Sequence, residues 1–146
     1  MVDFNKLGLL TKQRDILVAL FTRRLHRRVL VGVRGQQEIH DTQRELTEAL
    51  QTEQFAFKSF HGPAVGSTRI ESADGVCWIR ILDTSRSERL PDKVRALEID
   101  LVWWKHVRWS EEVDTMVRYV EARRVGYNPI TLWGDVPADY IRGGYV

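Results

Sequence analysis

His106, Glu111 and Glu112 form the closest approach in this sequence to a general base with an orienting carboxylate. No Ser or Cys nucleophile is placed beside them by any motif, and a surface histidine ahead of a helix explains His106 better. Asp74 and Asp83 flank one apolar run, as the acids of a paired-carboxylate nuclease would, but Asp74 belongs to an Asp74-Gly75 turn dipeptide that accounts for it. Glu98, Asp100 and Lys105 do not match the D…ExK nuclease spacing. A phosphate-cradling loop needs glycines for close backbone approach, and a lysine and a hydroxyl for charge and magnesium. The segment LGLLTKQ has one glycine, and Lys12 follows Thr11 instead of preceding it. One cysteine, Cys77, and four scattered histidines (His26, His40, His61, His106) give no zinc-ligand spacing. No catalytic residue, metal or cofactor is therefore expected. Cys77 excludes an internal disulfide, fits a reducing compartment and, inside an apolar run, reads as buried and inert.

Binding groups are better represented. Arg23, Arg24, Arg27, Arg28 and Arg34 fall in one short stretch, and arginine suits bidentate contact with phosphate. They are candidate nucleic-acid contacts. The competing explanation is a solvated helix end, where cations complement the dipole. Trp103, Trp104, Trp109 and Trp133 interleave with Lys105, Arg108 and Tyr119. Such a mixture can stack bases, but it also suits plain packing or a protein interface, for which Trp103, Trp104 and Trp109 are the candidates. Alternate residues of a strand face opposite ways, so Trp103 and Trp104 cannot share a face, and at least one belongs to the core.

These groups must be positioned by a frame, and 146 residues with 43% hydrophobic and 29% charged content suffice for one domain, 1–146, with a real core. A net charge of +2 does not by itself demand a polyanion. No run approaches a membrane span, and the start, MVDFNKLGLL, lacks a signal-type apolar stretch, so no membrane is expected. The pattern predicts a helix from Thr11, its cap, to about Leu25, then a buried strand at Val29–Val33. A second helix follows over Gln36–Gln51, with Ile39, Leu46, Ala49 and Leu50 inward. Residues 55–66 read as irregular. Thr68–Ser72, Asp74-Gly75 and Val76–Leu82 read as a β-hairpin. Asp83–Lys93 reads as a surface loop. Ile99–Trp104 is the most apolar strand, a helix capped by Ser110 runs toward Gly126, and Ile130–Trp133 is a last strand. The fold class is α/β: a small mixed or mainly parallel sheet with flanking helices and one hairpin. The strands near 29–33, 77–82, 99–104 and 130–133 are expected to share that sheet.

Taken in order, RRVLVGVRGQQEIHDTQREL, RIESADGVCWIRIL, VRALEIDLVWWKHV and NPITLWGDVP resemble the ATPase core of phage terminase large subunits and related superfamily-2 motors. The resemblance covers roughly Leu9 to Pro137 and implies a P-loop-ATPase-like sheet. In that family the strand corresponding to IDLVWWKHV ends in two adjacent carboxylates that handle magnesium and activate water. Here Lys105 and His106 stand in their place, and the strand ahead of a phosphate loop is missing. The resemblance therefore implies a frame without its hydrolytic groups: a phage-derived, non-catalytic module that binds DNA, RNA or a phage or host protein, in the host cytoplasm or the virion. The alternative is a small virion or assembly protein whose α/β sheet has no nucleotide role.

Overall fold

The computed structural model describes residues 12–62, 68–85, 98–107, Asp114, Arg118 and residues 130–134. Within them lie α1 (Gln13–Thr22), β1 (Arg28–Val33), α2 (Gln36–Thr52), β2 (Phe57–Phe60), β3 (Arg69–Ser72), β4 (Trp78–Asp83), β5 (Leu101–Trp104) and β6 (Ile130–Trp133). The strands form one six-stranded sheet in the order β2-β3-β4-β1-β5-β6. β4, β1, β5 and β6 run parallel, and β2, β3 and β4 form an antiparallel meander. The sheet is thus mixed, and the four expected strands lie side by side in it.

β1 and β5 are buried along nearly their whole length, as continuous apolar runs of a parallel sheet require. Alternation still decides which face each residue enters. Val29, Val31, Val33, Leu101 and Trp103 join Leu17, Phe21, Ile39, Leu46 and Leu50 of the two helices in one core. Leu30, Val102 and Trp104 are buried on the opposite face. Gly32 lies on that second face, where a Cβ would stand 2.6 Å from Trp104 Cε3, so glycine is required for the indole to cross β1.

α1 stops at Thr22, short of Leu25. Arg24 takes the left-handed conformation (φ 58°). Its N–H then reaches Phe21 O at 3.0 Å, and the Leu25 N–H reaches Leu20 O at 3.0 Å. This Schellman pair satisfies the last carbonyls and reverses the chain into β1. α2 ends the same way on Gln54 (φ 57°), with Phe55 N–H on Leu50 O at 3.0 Å. The expected Thr11 cap lies outside the described residues, and Lys12 occupies the cap position without a side-chain bond.

Residues 55–66 are not wholly irregular, because β2 pairs Phe57–Phe60 with β3. FKSF lacks strict apolar alternation, and its strand character comes from the partner. The β3–β4 hairpin turns on Asp74-Gly75 as expected, with Gly75 at φ 75°. Of the helix expected after Ser110, Asp114 and Arg118 are helical and joined at 2.8 Å. The rest of it, the loop beyond Ser85 and the segment after Gly134 lie outside the described residues.

Candidate nucleic-acid interface

In open α/β sheets ligands settle at the carboxyl ends of the parallel strands. Here that edge is built from residues that bind each other. Where β5 ends, the Lys105 ammonium donates to Glu45 Oε2 at 2.8 Å and Thr42 Oγ1 at 3.0 Å, both on α2. It also lies 5.6 Å from the Trp103 ring centroid. His106 Nδ1 pairs with Glu38 Oε1, while Glu38 Oε2 accepts the Arg34 N–H at 3.0 Å. Asp83, at the end of β4, accepts the Gly35 N–H at 2.8 Å and the Ser85 N–H at 2.9 Å. Thr84 Oγ1 donates to Val33 O at 2.7 Å, tying β4 to β1. Two backbone N–H groups at the β1–α2 junction, where a phosphate would sit on a helix N-terminus, are therefore held by the chain's own carboxylates.

Among the described residues the carboxylate beside His106 is thus Glu38 of α2; Glu111 and Glu112 lie outside them. Asp74 and Asp83 stand at opposite ends of the β4 region and share no centre. Asp74 accepts Ser72 Oγ at 2.6 Å and the Val76 N–H at 3.1 Å, and pairs with Arg24 at 2.9 Å. The Ser72 hydroxyl first, then the Val76 amide, lower its carboxyl to about 2. Asp100 clamps the start of β1: its two oxygens accept the Arg27 and Arg28 N–H groups, each at 3.0 Å. Cys77 is fully buried, and Arg24 Nη1 lies 3.6 Å from its sulfur. Among the described residues no three His, Cys, Asp or Glu groups could hold a metal ion.

The five arginines do not form one patch. Arg23, Arg24, Arg27 and Arg28 stand at the amino edge of the parallel strands, and Arg34 stands at the other end of β1, roughly 17–20 Å away. Arg24 is paired with Asp74, and Arg28 with Glu98 at 2.7 Å. Arg23 and Arg27 are exposed and make no ion pair among the described residues. The amino edge therefore presents Arg23 and Arg27 outward; at the carboxyl edge Lys105 is held by α2, while the Arg34 side chain is exposed.

Trp103 and Trp104 lie inside the chain, 0% and 2% exposed and on opposite faces, so neither is placed to anchor a partner. Trp103 Nε1 donates to Gly134 O at 2.8 Å. Trp109 lies outside the described residues. Local spacing missed the partners of Lys105 and His106 because Glu45 and Glu38 belong to a helix more than 50 residues earlier, and only the sheet brings them together. No helix among the described residues is long and apolar enough to cross a membrane. No protein-family model matches the chain, and no curated protein matches it in sequence.

Proposed function

We propose that this chain is a non-catalytic α/β module, on a sheet of the terminase or helicase ATPase-core kind, that works by binding nucleic acid at the amino edge of its parallel strands. One contrast carries the proposal. At the carboxyl edge, Lys105 is held by Glu45 and Thr42, and the amides of Arg34 and Gly35 are held by Glu38 and Asp83. At the amino edge, Arg23 and Arg27 stay exposed beside Arg24 and Arg28. A lysine where the family has carboxylates repels magnesium, whereas a cluster of guanidinium groups attracts a phosphate run.

The test is a fluorescence-anisotropy titration with single- and double-stranded DNA at low and moderate salt. Wild type should bind without sequence preference, and replacing Arg23, Arg24, Arg27 and Arg28 by Ser should weaken binding to all strands. Arg34→Ser, at the far edge, should leave it unchanged. Absence of binding at low salt would reduce the cluster to a solvated helix end.

A further inference from the structure

Two histidines that share no motif in the sequence meet in the fold. His40 lies on α2, and His61 follows β2. β2 runs in the direction of β4 and β1, so its end reaches the carboxyl edge beside the first half of α2. Gln43, one helical turn after His40, fixes the approach. Its Nε2 donates to Ser59 Oγ at 2.7 Å and to Phe60 O at 2.9 Å. Gln43 is only 8% exposed, so this tether is shielded from water. The two imidazole rings come to 4.8 Å between centroids, edge to face at 89°. They stand in an open polar cleft of about 370 Å³, whose walls include Asp41, Gln43, Arg44 and Ser59.

Neutral imidazoles offer lone pairs to a metal ion, whereas imidazoliums attract an anion. The other charges in the cleft decide between the two. Arg44 is its one permanent cation, and Asp41, its one acid, lies 3.2 Å from the guanidinium. Gln37 Nε2 donates to the same Asp41 oxygen at 3.0 Å. Arg44 is thus balanced, and no surplus positive charge remains to hold an anion. Neither imidazole makes a hydrogen bond or ion pair among the described residues, so the ring nitrogens are uncommitted. The spacing agrees with chelation. With Zn–N bonds of about 2.0–2.1 Å, two imidazoles on one tetrahedral ion hold their centroids roughly 5 Å apart. Both side chains are exposed, and rotation about χ2, which is broad for histidine, aims a nitrogen of each at one point.

We propose that His40 and His61 chelate one divalent transition-metal ion of the zinc class, with water completing its coordination. Imidazole suits such ions, whereas magnesium and calcium take oxygen ligands. No third His, Cys, Asp or Glu joins the pair among the described residues, so the bound ion keeps open positions. The ion ties α2 to the end of β2, which stands at one end of the strand order. The site lies at the opposite edge from Arg23 and Arg27 and is independent of their role.

The test uses the untagged full chain, stripped with chelator, and zinc chloride in titration calorimetry, with thermal melts to confirm folding. Wild type should bind one equivalent, and His40→Gln and His61→Gln should each weaken binding by more than about tenfold. The double variant should be little worse than either single one, because one imidazole alone does not chelate. His106→Gln, whose ring is paired with Glu38 in wild type, should hold affinity within about twofold. Zinc should raise the melting midpoint of wild type and not that of the His40 or His61 variant. No zinc binding by wild type, loss in only one of the two variants, or equal loss in His106→Gln would overturn the site. If a glutamine variant does not fold, nickel broadening of wild-type histidine ring signals decides. Two rings other than the one missing in His106→Gln should broaden, and broadening of one ring or none overturns the chelate. Inorganic phosphate is the competing probe: phosphate binding that both variants lose, with no zinc binding, would assign the cleft to an anion and overturn the metal.

Discussion

Trp103 and Trp104 are neighbours in sequence with opposite surroundings. The Trp103 indole N–H is bonded to Gly134 O, while the Trp104 indole N–H is buried with no partner among the described residues. Trp103→Phe should cost about 1–3 kcal/mol, because the buried indole loses its hydrogen bond to the Gly134 carbonyl. Trp104→Phe should cost less, since the lost area is offset by removal of an unsatisfied donor; urea unfolding of the pair checks the order. Gly32→Ala sets a Cβ against that same indole and should destabilise by about 1–3 kcal/mol in the same assay. Asp100→Ala should be at least as damaging, about 2–4 kcal/mol, because it strips two backbone amides of their acceptor. The sequence showed that one tryptophan had to be core, from alternation alone. It could not show that both are, because burial of the second face depends on tertiary packing.

At the scale of elements, α1 and α2 each close on a left-handed residue that is not glycine, Arg24 and Gln54. Gln54 is exposed and makes its turn through the backbone, so Gln54→Gly should raise stability by about 1 kcal/mol, read from the thermal or urea midpoint. The Asp74 turn titrates. Its folded carboxyl lies near 2 against an ordinary 3.8, so its contribution is complete above the ordinary value and lost as pH falls toward 2. Asp74→Asn should therefore flatten the acid limb of the stability curve between those values and leave neutral pH little changed in slope. The Asp-Gly turn was legible because few dipeptides tolerate positive φ. β2 was not legible, since FKSF gains its strand character from pairing with β3. With β2 read as loop, the pairing of Phe57–Phe60 with Arg69–Ser72 could not be assembled.

For the whole molecule, the order of apolar runs was enough to place β1, β4, β5 and β6 in one sheet, because runs buried on both faces have no other solution. The division between the edges was not legible: Lys105 meets Glu45, and His106 meets Glu38, only after β5 docks beside β1. That division makes two outcomes separable. With magnesium and ATP, calorimetry should detect neither binding nor turnover, and turnover abolished by a change at Lys12 or Asp100 would oppose this. For nucleic acid, the most direct measurement is the slope of log Kobs against log salt concentration for a single strand, in wild type and in the Arg23→Ser, Arg27→Ser double variant. For wild type log Kobs should fall linearly with log salt concentration, and the double variant should lower the slope by about 0.7 for each phosphate contact removed. An identical slope in the two proteins, or no binding by wild type at low salt, would contradict a phosphate-binding amino edge.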